Sequence, residues 1–115
     1  MDRKRELKEM YKQMKPDMGI YIIQSEISNK YFLETTQNLK GKLNSARFQL
    51  EAGNHRNREL QEEWKQYGPD NFEIKVLENL KYDKDEAKTD YGEELEIMKT
   101  IWEEKLESQN MIPYK

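Results

Sequence analysis

Asp83, Asp85, Thr89 and Glu94 stand at positions 1, 3, 7 and 12 of a calcium-loop spacing. Oxygen ligands at that spacing could surround a hard cation, but the sharp turn needs glycine at position 6, which is Lys88, and position 5 is Ala87. The stretch therefore reads as the acidic start of a helix. The chain has one histidine, His55, and no cysteine. Disulfides and thiolate metal sites are excluded, and a reducing, cytoplasmic setting fits. There is no glycine-rich phosphate loop, no Ser/His/Asp set and no zinc pattern. A lone imidazole between two helical stretches is most simply a capping or core residue. It becomes chemistry only if other groups converge on it.

The elements that would bring such groups together are legible in the 115 residues. Met18 to Leu39 holds an apolar run at Gly19 to Ile23, a polar turn at Ser25 to Lys30, and a second apolar run at Tyr31 to Leu33. This reads as a β-hairpin, with Ser28-Asn29 suited to a tight turn. Thr35 and Thr36 are candidate N-caps for a helix whose apolar face is Leu39, Leu43, Ala46 and Leu50, closed by Gly53. Asn57 can cap a second helix carrying Leu60, Trp64 and Tyr67, closed by Gly68 and Pro69. Asn71 to Leu77 alternates as a half-buried strand, with Phe72, Ile74 and Val76 on one face. Asp90 and Glu93 resemble a capping box opening a last helix. Its stripe is Leu95, Met98 and Trp102, with Ile97 and Ile101 beside it. The tail after Ser108 shows no periodicity.

Residues 2–14 place Leu7, Met10, Tyr11 and Met14 at helical spacing before Pro16. An N-terminal helical extension over 1–15 and one domain over 16–115 are expected. The fold class is α+β: a small three-stranded antiparallel sheet flanked by helices, because three short strands cannot bury both faces alone.

Charge narrows the partners. Net charge is −3, with residues 1–15 at +3, residues 16–80 at −2 and residues 81–115 at −4. A domain living on phosphate contacts is usually basic, so strong nucleic-acid binding is not expected. No apolar run is long enough to span a membrane. A protein partner or self-association through the N-terminal helix fits the amphipathic stripe there.

Three motif groups in order resemble the GIY-YIG nuclease family, nearest its phage-type homing-endonuclease branch. Gly19-Ile20-Tyr21 is followed after ten residues by Phe32-Leu33. Gly53, His55, Leu60-Gln61 and Trp64 match the linker and helix motif G-x-H-x-x-x-x-L-Q-x-x-W. Tyr67-Gly68, Asn71-Phe72-Glu73 and Val76-Leu77-Glu78 follow. The resemblance runs from about Met18 to Leu106.

That resemblance implies metal-assisted cleavage of DNA by two tyrosines, a helix arginine, a nearby histidine or tyrosine and a metal-holding glutamate. Tyr21 takes the first tyrosine position and His55 the linker histidine. The second tyrosine position is Phe32, which has no hydroxyl. Tyr31 beside it faces the other way by strand alternation. The motif glycine position is Glu34, the helix arginine is Lys42, and the next helix position is Ala46. The metal glutamate falls near Tyr91, with Glu93 and Glu94 close by. The leading expectation is a degenerate GIY-YIG-like domain without nuclease activity, acting as a binding or regulatory module and needing no cofactor. One alternative is a weak endonuclease using Tyr21, Lys42 and His55, with Glu93 or Glu94 on Mg2+ or Mn2+. Another is a structural or oligomer-forming protein.

Overall fold

Met18–Ser25 forms strand β1, and Met18, Ile20, Tyr21, Ile22 and Ile23 are all buried to 1% exposure or less. A strand buried on both faces must lie inside its sheet with a layer on each side. The computed structural model, which describes residues 15–115, places it there. The helix expected over residues 2–14 lies outside the described residues. β1 pairs antiparallel with β2 (Lys30–Thr36) on one side and β3 (Phe72–Leu80) on the other. Helices α1 (Leu39–Ala52) and α2 (Arg58–Tyr67) cover the face carrying Tyr21, Ile23 and Phe32. Helix α3 (Gly92–Ser108) covers the face carrying Ile20, Ile22, Tyr31 and Leu33.

The sheet has a fourth strand that the sequence did not announce. Ile112–Pro113 forms a short β4 parallel to β2, so the order is β3-β1-β2-β4 and the sheet is mixed. Proline is tolerated there because the outer edge needs no donor. The backbone N–H groups of Ile112 and Tyr114 donate to the carbonyls of Asn29 and Tyr31 at 3.1 and 2.9 Å. Tyr114 is buried, and its hydroxyl donates to the Glu63 carboxylate at 2.9 Å. Ser28 donates to the same Glu63 oxygen at 2.6 Å. The tail thus ties α2 to the hairpin turn, where Asn29 adopts a positive φ of 61°.

Gly19 is required by close approach. A Cβ there would sit 2.1 Å from the Glu78 carbonyl oxygen of β3. Just beyond it Ile20 pairs with Glu78 but Tyr21 with Val76, leaving Leu77 as a bulge. The bulge lets β3 run on to Leu80, three residues past the expected end. It keeps Val76 opposite Tyr21 while Leu77 joins the core under α3.

Helix starts differ from expectation for local reasons. α1 is capped by Asn38, whose side chain accepts from the Gly41 N–H at 3.1 Å, and not by Thr35 or Thr36. Both threonines are still paired with β1, so the chain cannot turn until later. The Thr36 hydroxyl instead accepts from the Asn38 N–H. No capping box forms at α3. Tyr91 is drawn into the core beside Met18 and Leu95, and the Asp90 carboxylate accepts from Gly92 N–H at 2.9 Å. Ile97 and Ile101 lie on the exposed side of α3, because the sheet takes only the Leu95, Met98, Trp102 and Leu106 stripe.

Candidate active site

Three elements and a linker meet on the α1 face of the sheet. β1 sends Tyr21 inward and β2 sends Glu34 beside it, the two being direct cross-strand partners. α1 contributes Lys42, Ser45, Ala46 and Gln49 from one side. The linker between α1 and α2 contributes His55 and Arg56. Together they line a pocket of about 240 Å³.

The linker is held by its own sequence. Gly53 takes the left-handed conformation, φ 80°, that ends α1. The Asn57 side chain accepts from the Leu60 N–H at 3.0 Å and starts α2. Between them the buried Gln61 amide donates to the Leu50 carbonyl and accepts from the His55 backbone N–H, at 3.0 and 2.9 Å. His55 Nδ1 accepts from the Asn57 N–H at 3.0 Å, so the neutral ring carries its proton on Nε2. His55 also meets the Phe32 ring edge-on, with centroids 5.0 Å apart. It is both a loop-capping residue and a wall of the pocket.

Glu34 organises the charges. One carboxylate oxygen accepts from the Tyr21 hydroxyl. The other accepts from Arg56 at 2.7 Å and lies 3.7 Å from the Lys42 ammonium. Arg56 also lies over the Phe32 ring, 5.5 Å from its centroid. Burial, then the hydrogen bond and charge of Glu34, push the Tyr21 hydroxyl far above the usual tyrosine range. Tyr21 is therefore a proton donor at neutral pH and not a phenolate base. Burial, then the Arg56 charge, lower the His55 pKa, with Glu34 opposing.

The sequence-derived positions separate into two groups. Tyr21, Lys42 and His55 share the pocket, with Glu34 at its centre. Phe32 packs against the same core, its ring centroid 6.4 Å from that of Tyr21. Tyr31 is buried on the opposite face. Glu93 and Glu94 are in the first turn of α3, the helix on that opposite face, and Glu94 pairs with Lys88 at 2.9 Å. Tyr91 packs edge-on against Tyr82.

Among the described residues the pocket offers one carboxylate, Glu34, as a cation ligand. No group of three His, Asp or Glu side chains able to hold a metal exists among the described residues. The pocket's only carboxylate already has both oxygens engaged. The motif spacing gives Arg56 no site role. Its position next to the linker histidine was the available signal.

The order of elements, the central β1 and the helices on both faces define a GIY-YIG-like α+β fold. Two solved structures share it. The catalytic domain of homing endonuclease I-TevI superposes with a TM-score of 0.64 and 24% identity, over 84% of this chain and 95% of that one. A mutant of the catalytic domain of intron endonuclease I-TevI gives 0.63 and 23%, over 86% and 92%. At that identity the likeness is one of fold. No protein-family model and no curated protein matches the chain.

Proposed function

We propose that this chain is a GIY-YIG-fold domain without nuclease activity that works as a binding or regulatory module. The observation that carries this reading is Glu34, whose carboxylate engages Tyr21, Arg56 and Lys42 together. In a phosphodiesterase those three groups would have to meet a phosphate. Here a fixed anion already satisfies them, and an incoming phosphate meets its charge. Phe32 supplies no proton-transfer group, and such a group is worth roughly 10²–10⁴ in rate. Nucleic acid remains a weak ligand on this reading, since the net charge is −3.

The alternative is a weak endonuclease. The convergence of Tyr21, Lys42, His55 and Arg56 in one pocket favours it. A nicking assay on plasmid and branched DNA with Mg2+ or Mn2+ separates the two, run beside Tyr21→Phe. The expected result is no cleavage by either protein. Metal-dependent nicking that disappears in Tyr21→Phe establishes the enzyme instead. Phe32→Tyr alone should stay inactive, because groups that act as a unit are not restored singly.

A further inference from the structure

β3 is an edge strand. Among the described residues nothing pairs with its outer side, while its inner side is registered with β1 on both sides of the Leu77 bulge. An unpaired row of backbone donors and acceptors is a template for another strand. Natural edges are usually blunted by prolines, bulges or inward-pointing charges. Here Pro69 lies just before β3 and the Leu77 bulge lies within it, but both leave Phe72–Val76 regular. On the α1 face this stretch shows Phe72, Ile74 and Val76, the last 41% exposed. On the α3 face it shows Glu73, half-buried and accepting from the Gln24 amide at 3.5 Å, and Lys75, exposed, the two paired with each other at 3.2 Å.

We propose that β3 pairs antiparallel with β3 of a second copy of this chain, in the register that places Ile74 opposite Ile74. The charges choose that register. A two-fold axis perpendicular to the sheet keeps α1 and α2 of both copies on one side, and it must pass through a residue. Centred on Glu73 or on Lys75, it sets like charges directly opposite, which destabilises a strand pair. Centred on Ile74, it sets each Glu73 opposite the other copy's Lys75, giving a square of alternating charge. Phe72 then faces Val76 across the axis on the other side of the sheet, and the exposed valine is covered. One short ladder of this length buries little surface, so the dimer is weak and reversible. Its ion pairs are exposed, so salt weakens it.

The test is sedimentation of the full chain from about 10 μM to about 1 mM at low and high salt, with Glu73→Lys and Lys75→Glu. Neither side chain belongs to a core cluster, and circular dichroism checks that each variant is folded. The wild type should move from monomer to dimer mass with rising concentration, less so at high salt. Each single variant carries like charge at both positions, so its association should weaken about tenfold. An equimolar mixture of the two variants restores opposite charges across the axis and should associate like the wild type. The double variant should do so alone. A wild type that stays monomeric at about 1 mM overturns the proposal. So do single variants that associate as well as the wild type, or a mixture no better than its components.

Discussion

Both oxygens of Glu34 are in use, and the two cations on them have no other anion in the pocket. Removing that carboxylate should turn a neutralised pocket into an anion site. Glu34→Ala should elute from heparin at higher salt than Glu107→Ala, an exposed α3 change with the same effect on net charge. Equal elution would mean that Arg56 and Lys42 are not held by Glu34. His55 gives a second expectation at this scale. Its folded pKa lies below the ordinary 6.5, so the folded protein resists protonation more than the unfolded chain does. The stabilising contribution of neutral His55 is complete above about pH 6.5 and is lost as pH falls through its lower folded value. Urea melts should lose stability over that window with a slope of at most about 1.4 kcal/mol per pH unit. His55→Gln should flatten the slope there, since it is the only histidine. Tyr21, Phe32, Lys42 and His55 could be located from motif spacing because spacing fixes which element carries a residue. The grip of Arg56 on Glu34 could not, because spacing says nothing about where a linker side chain reaches.

Strong local signals located most elements. Asn57, Gly53 and Gly68 stand where their side chains or backbones cap a helix. Structure and local signal part where tertiary pairing wins: threonines retained in β2, Tyr91 pulled inward, and a bulge extending β3. β4 was invisible because two residues have no period. Trp64 shows what the elements contribute in energy. It is buried between α2 and the sheet, its ring 5.2 Å from that of Phe72. Trp64→Ala should cost about 3–5 kcal/mol in a denaturant melt, and a loss under about 1 kcal/mol would contradict this packing. Gly19→Ala should destabilise by about 1–3 kcal/mol, since its methyl meets the β3 backbone and not a movable side chain.

Across the whole molecule, the two-layer covering of one sheet followed from the impossibility of burying three short strands otherwise. The described residues contain no helix long and apolar enough to cross a membrane. The C-terminal clasp was not foreseeable, since it depends on Glu63, a charged side chain that the fold buries. Tyr114→Phe should cost about 1–2 kcal/mol by removing one of the two hydroxyl donors to that buried oxygen. An unchanged midpoint would show that the tail rests on β4 alone. The central position of β1 has a consequence for synthesis. Ribosomes release chains from the N-terminus, so Met18–Ile23 emerges before the strands and helices that bury it among the described residues. β2 can cover one edge soon after. The other edge and the α3 face stay open until residue 80 and then residue 106 have followed. A nascent chain stalled before β3 would therefore expose this strand, and chaperones that grip short apolar segments would find it there.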